Sequence, residues 1–297
     1  MTPILYQILT STHVGDGASV GNISLPLVRE RHTGWPWLPG SSLKGALRAR
    51  ARFLAPQGEP ERERSYRERI DRFFGPEAET EVATGSFVVT GAQLWALPVR
   101  SIKGTFLLLT CPLALARLRR HFPELPPSPA VDQGSVLLTS GNDAFLHEAN
   151  GLKLPHKSST IQGMAVIEDV AFPGSVNPEL EQIVACLTKF FGEVAPFEKL
   201  AVVSDDSFTR ACALWTEVRT HASIDKDGVV VDGQLYTIES LPPESLLVGE
   251  ITGDDPKLGL QDQEEEIDLF PANQESWVVG GHKSTGLGRV AWYGRKS

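Results

Sequence analysis

The chain has 297 residues, 41% of them hydrophobic, and a formal charge of −9, which suits a packed core in one large domain or two modest ones. No apolar run is long enough to span a bilayer, and Met1 to Leu9 lacks the basic start and long apolar core of a secretory leader, so a globular cytoplasmic protein is expected. Cys111, Cys186 and Cys212 are odd in number and widely spaced, which fits neither a disulfide framework nor a zinc knuckle and leaves ordinary buried thiols.

Ile4 to Leu9 reads as an opening strand, followed by a loop with Gly15, Gly17 and Gly21 and a short segment from Ile23 to Val28. Next, Leu38-Pro39-Gly40-Ser41-Ser42-Leu43-Lys44-Gly45-Ala46-Leu47-Arg48 predicts a turn and a helix capped by Ser41 or Ser42. Leu43, Leu47 and Leu54 recur near helical spacing to face a core, while Lys44, Arg48 and Arg52 repeat every fourth residue along another stripe. Gln57 to Asp71 alternates Arg and Glu and predicts an exposed helix or loop held by local ion pairs. Strands are expected at Ser86 to Thr90 and Thr105 to Thr110, separated by Pro98 to Gly104, with a helix from Pro112 to about His121.

Phe122 to Gln133 is proline-rich and marks the best internal boundary. Beyond it, Asn150-Gly151 is a two-residue hairpin signal, and Asp225-Lys226-Asp227-Gly228 is a second one. Helices are expected from Pro178 to Phe191 and from Asp206 to Val218, the latter capped by Asp205 or Asp206. Trp277 to Val279 is read as a last strand feeding Gly280-Gly281-His282-Lys283-Ser284-Thr285-Gly286, where backbone free of side chains lets a polyanion approach and His282, Lys283 and Ser284 donate hydrogen bonds.

Two glycine-punctuated basic signatures at opposite ends of the chain point to RNA. The net charge opposes that reading, but its distribution supports it. Arg29 to Arg52 sums to +5, with Arg29, Arg31, Lys44, Arg48, Arg50 and Arg52 against Glu30, whereas Glu250 to Asp268 sums to −7. Basic patches on one face and an acidic loop on another suit a subunit that binds RNA on one side and protein neighbours elsewhere. Trp35 and Trp37, beside the basic run, are core or interface residues that could also stack a base.

The chain resembles the RAMP superfamily of CRISPR proteins, most closely the repeating backbone subunit of the type III-B Cmr effector complex. The resemblance runs through His13-Val14-Gly15-Asp16-Gly17, Leu25-Pro26-Leu27, Arg29 to Gly34, the Leu38 to Gly45 helix start, Leu97 to Gly104, Val203 to Asp206, Leu241-Pro242 and the glycine loop. It implies an α+β fold: a modified RRM or ferredoxin-like palm with an inserted β-hairpin thumb and helical insertions, as one domain over 1–297. The insertions fall at about 55–80, 122–160 and 250–270. Asn150-Gly151 is the candidate thumb, with the Asp225 hairpin in competition. Implied partners are guide crRNA, complementary target RNA, copies of the chain in a filament and other Cmr-type subunits, without a membrane. Gripping backbone rather than bases suits a protein that must accept any guide, because pairing then reads the sequence.

The resemblance places the family's cleavage aspartate just before Leu25-Pro26, where this chain has Ser24. A carboxylate takes a proton or holds a divalent metal such as Mg for in-line attack by a 2′-hydroxyl, and a serine does neither well. Ile238-Glu239-Ser240 keeps only Glu239 of the acidic and aromatic residues expected before the second Leu-Pro. Target cleavage is therefore expected to be weak or lost, leaving a guide-binding scaffold. The alternatives are cleavage through another residue such as Asp16, with His13 orienting RNA; a guide-processing endonuclease using His13 and His32; and a ferredoxin-like protein without nucleic acid.

Overall fold

The computed structural model describes residues 2–15, 17, 21, 23–76, 84–102, 105–139, 146–147, 163–253 and 275–294. Strand β1 (Thr2–Ile8) is buried along its length from Ile4 onward, because it runs between two antiparallel partners, β13 (Leu246–Gly253) and β15 (Arg289–Gly294). A strand covered on both edges and both faces carries an apolar run rather than a two-residue alternation. The first half continues with β2 (Trp37–Leu38), α1 (Gly40–Phe53), α2 (Pro60–Phe74), β3 (Phe87–Val89), β4 (Ala92–Arg100), β5 (Phe106–Thr110) and α3 (Pro112–His121). The second half adds β6 (Val136–Leu138), β7 (Leu146–His147), β8 (Gly163–Ile167), β9 (Val170–Val176), α4 (Glu179–Phe191), β10 (Leu200–Val203), α5 (Asp205–Leu214), β11 (Glu217–Ile224), β12 (Val230–Ser240) and β14 (Ser276–Val278).

A single 13-stranded sheet runs in the order β14-β15-β1-β13-β4-β5-β10-β6-β9-β8-β7, with β2 on β4 and β3 on β13. The proline-rich Phe122–Gln133 stretch is thus a connection within one core: β10 pairs with β5 on one side and β6 on the other, and Phe122 and Leu125 are themselves buried. The α+β arrangement agrees with the RRM-like palm. The hairpin β11–β12 forms a separate two-stranded sheet turned at Asp225, whose side chain accepts from the backbone N–H groups of Asp227 and Val229 at 2.9 Å. The Asn150-Gly151 hairpin and the acidic stretch from Asp254 to Asp268 lie outside the described residues.

Several local expectations are corrected. Helix α1 starts at Gly40, so Ser41 and Ser42 sit in its first turn and neither caps it. Gly40 packs where an added Cβ would come within 2.3 Å of the Val89 carbonyl, and this contact fixes the start. Helix α5 is capped by Ser204, which accepts from the Ser207 N–H, while Asp205 and Asp206 occupy the first turn and complement the helix dipole. Helix α2 has its ion pairs, Arg64–Glu68 at 3.0 Å and Arg67–Glu63 at 2.5 Å, yet buries Tyr66, Ile70, Phe73 and Phe74. Pro98 to Arg100 belong to β4, not to a connection. Finally, the glycine loop does not follow the last strand: it joins β14 to β15, the last strand among the described residues.

Candidate nucleic-acid interface

Four segments distant in sequence meet at the end of β12. The segment around His13 is held by mutual backbone hydrogen bonds between Thr12 and Leu241, at 2.9 and 3.0 Å. The Ser24–Leu27 segment is laced to β12 by Leu25 N–H to the Thr237 carbonyl (2.9 Å) and Glu239 N–H to the Leu25 carbonyl (2.9 Å). From the other side comes the glycine loop, whose Gly281 N–H donates to the His13 carbonyl at 3.0 Å. Gly280 has φ +87 and lies where an added Cβ would come within 2.1 Å of that carbonyl, so only glycine fits. His13, Ser24, Glu239 and His282, read from separate motifs, are thereby gathered into one region.

Glu239 organises it. Its buried carboxylate accepts from the Leu27 N–H (2.9 Å) and the Thr216 hydroxyl (2.6 Å) and pairs with Arg29, while its backbone carbonyl accepts from His13 Nδ1 at 2.7 Å. The carbonyl can only accept, so Nδ1 of His13 is the donor in this bond. Arg29 also donates to the carbonyls of Gly34 (2.8 Å) and Cys212 (3.0 Å), making it an internal bracket. Ser24 is exposed, and its hydroxyl engages Thr237. Asp16 lies outside the described residues.

On this framework stands a ring cluster that sequence reading only half found. His221 on β11 faces Tyr236 on β12 across the hairpin, with centroids 5.7 Å apart and planes 16° from parallel. His282 lies 6.1 Å from both rings and 6.0 Å from His13. His282 takes a left-handed backbone conformation, φ 56 and ψ 32, which is uncommon for a residue with a side chain. Burial, then the neighbouring imidazoles of His13 and His221, lower its pKa below the ordinary histidine value. Lys283 and Ser284, next in the loop, are exposed.

The other expected contacts have different surroundings. Lys44 donates to the Phe87 carbonyl at 2.8 Å and Arg48 to the Phe74 carbonyl, so both tie α1 to its neighbours. Burial, then Arg48, lowers the pKa of Lys44. Arg52 and Arg31 are exposed. His32 is exposed beside Arg117, which is itself buried, paired with Glu30 at 2.9 Å and set over the Trp35 ring at 4.8 Å. Trp35 is core, 1% exposed and bonded through Nε1 to Thr209 at 2.9 Å, and the Trp37 ring fills the space beside Gly91. The buried Trp35 presents no open face to a base.

A divalent ion of the Mg type wants several oxygen ligands, carboxylates foremost. Where the resemblance leads one to expect a carboxylate, Ser24 offers a neutral hydroxyl engaged with Thr237, and the carboxylate of Glu239 is already paired. Among the described residues no three His, Cys, Asp or Glu side chains are grouped to hold a metal ion. The described donor set does not fit such an ion.

Comparison with known proteins agrees with this geometry. The chain is 29% identical over 245 residues to the CRISPR system Cmr endoribonuclease Cmr4 of Pyrococcus furiosus, covering 80% of this chain and 76% of that one. Its fold matches the crystal structure of oligomeric Cmr4 from Pyrococcus furiosus with a TM-score of 0.65 at 23% identity, covering 100% of this chain and 99% of the other. It also matches a subunit in the cryo-EM structure of type III-B Cmr-beta bound to cognate target RNA, with a TM-score of 0.67 at 19% identity, covering 99% and 96%. The RAMP superfamily profile matches residues 6–291, nearly the whole chain, and the protein therefore belongs to the RAMP superfamily.

Proposed function

We propose that the chain is the repeating backbone subunit of a type III-B CRISPR ribonucleoprotein, binding guide RNA and positioning complementary target RNA in the cytoplasm. Copies of the chain stack along one guide, flanked by other Cmr-type subunits. The observation that carries this reading is the convergence of His13, the Ser24–Leu27 segment, Glu239 and the glycine loop at one place in a RAMP palm. The likeness to Cmr4 and to a complex bound to target RNA supports it. Lys283 and Ser284 in the glycine loop are exposed and free to meet phosphates, and Arg31 and Arg52 are exposed as well. Among the described residues no helix is long and apolar enough to cross a membrane.

Cleavage by the carboxylate-and-metal route is weak or lost, because Ser24 cannot perform it. The test is to assemble the complex with its guide and offer complementary RNA. Tight binding that needs complementarity is expected, and Ser24→Asp should add evenly spaced, metal-stimulated cuts. Absence of complementary binding would overturn the reading. If metal-stimulated cuts appear without the substitution and vanish in Asp16→Asn, that aspartate performs the chemistry instead.

A further inference from the structure

We propose that Phe53 of one copy seats in a cleft at the opposite end of the next copy, joining the chains head to tail. The proposal rests on the stacking of copies in the reading above and names the surface through which they meet.

Phe53 ends α1 and is 84% exposed, the one exposed Phe, Tyr or Trp among the described residues. Exposed Arg52 and Leu54 flank it. A large ring beside a guanidinium is the pairing enriched at the centres of protein interfaces.

The cleft has a volume of about 460 Å³, and Val99, Phe106, Trp215 and Pro242 contribute its apolar lining. Leu214, in its wall, is 61% exposed. The charged lining sets three carboxylates, Glu168, Glu217 and Glu244, against one guanidinium, Arg100. Arg100 is taken by Glu168 at 2.6 Å, and Glu217 pairs with Arg219. The Glu244 carboxylate accepts from the Gln7 amide at 2.7 Å and pairs with no cation among the described residues. Glu168 (φ 53) and Glu244 (φ 71) both occupy left-handed backbone positions that usually fall to Gly or Asn. A glutamate kept at such a cost twice around one cleft points to a use for the carboxylates beyond the turns. An occupant that brings an apolar ring and a cation together fits this lining, and Phe53 with Arg52 supplies both.

Ring and cleft cannot meet within one copy. Strands β4 and β13 run antiparallel, with Leu246 facing Ala96 and Val248 facing Gln93, so Val99, Arg100 and Glu244 lie at one end of the pair. At the other end β13 pairs with β3 through Gly253 and Phe87, and α1 packs there: Gly40 abuts the Val89 carbonyl and Lys44 donates to that of Phe87. The nine residues of β4 alone span roughly 30 Å, at ~3.4 Å each. Unlike patches at opposite ends of one chain make a heterologous contact, which repeats as an open row of copies. The cleft also shares a wall with the RNA site, since its Thr216 donates to Glu239 at 2.6 Å, and a seated neighbour bears on the base of the β11–β12 hairpin.

The test is sedimentation of the full chain, alone and loaded on guide RNA, with guide binding read in parallel. The unaltered chain is expected to build multimers as its concentration rises. Phe53→Ala and Leu214→Lys should each weaken association about 30-fold or more. Mixed together, the two variants should form dimers and stop there, because one intact ring then meets one intact cleft. Arg52→Glu should weaken association about tenfold, and adding Glu244→Lys should restore most of the loss. Association unmoved by Phe53→Ala, a mixture without dimers, or an unaltered chain that stays monomeric both alone and on guide overturns the contact. If Phe53→Ala instead weakens guide binding by isolated copies, the ring stacks on RNA and the contact is overturned as well. A guide-loaded complex that multimerises as expected yet fails to bind complementary RNA overturns the RNA-positioning reading and leaves the contact standing.

Discussion

The two glycine-punctuated basic signatures look alike on paper and end up doing different physical work. In α1, Lys44 and Arg48 donate to the carbonyls of Phe87 and Phe74, so their charge fastens the helix to β3 and α2. In the loop between β14 and β15, Gly280 and Gly281 close onto the His13 backbone, leaving His282 half-buried in the ring cluster and Lys283 and Ser284 exposed. A basic side chain already bonded to carbonyls of its own fold has fewer hydrogens and less freedom to offer RNA. Charge counted along a sequence does not make that distinction.

The largest effect is expected at the hinge of the exposed signature. Gly280→Ala sets a methyl within 2.1 Å of the His13 carbonyl at φ +87, and the combined overpacking and left-handed strain should cost about 3 kcal/mol. Denaturant unfolding would read it, together with loss of RNA binding as His282 is displaced. Unchanged stability and binding would mean that the loop does not rely on this contact. Next comes the locked signature, where Arg48→Met keeps the aliphatic stem but leaves the Phe74 carbonyl without its donor. A loss of about 2 kcal/mol is expected, with RNA affinity per folded molecule unchanged. Weakened RNA binding by a stable Arg48→Met protein would erase the contrast between the two signatures.

Much of the fold was legible where a local rule decides alone. Pro112 at the first position and Arg119, Arg120 and His121 in the last turn mark α3 from end to end, and Asp227-Gly228 marks the β11–β12 turn. Strand β15 was not legible, because Arg289–Gly294 follows a glycine loop and carries no turn signal after it. The Ser204 cap was hidden by two adjacent aspartates of equal capping propensity. Of the site, His13, Ser24, Glu239 and His282 were visible as motif residues. His221 and Tyr236 were not, since only the register of β11 against β12 makes them neighbours. The partners of Lys44 and Arg48 are carbonyls 43 and 26 residues away, which no sequence window contains.

The smallest expected effect sharpens the contrast most. Lys283 is exposed, and Lys44 lies partly sheltered with one hydrogen directed at the Phe87 carbonyl. If Lys283 neutralises one phosphate, Lys283→Ala removes one counterion-release event, so the slope of log affinity against log salt should flatten by about 0.7 to 0.9. Folding stability should stay within about 0.5 kcal/mol, as for a surface substitution. For Lys44→Ala the order reverses: the salt slope holds, and stability falls by about 1 kcal/mol, the worth of a hydrogen bond to a carbonyl. A salt titration of both variants beside the unaltered complex separates positions that affinity at a single ionic strength would confuse. Equal slopes for Lys283→Ala and the parent would remove Lys283 from the RNA contacts, and a flattened slope for Lys44→Ala would mean that the remaining hydrogens of its ammonium reach a phosphate.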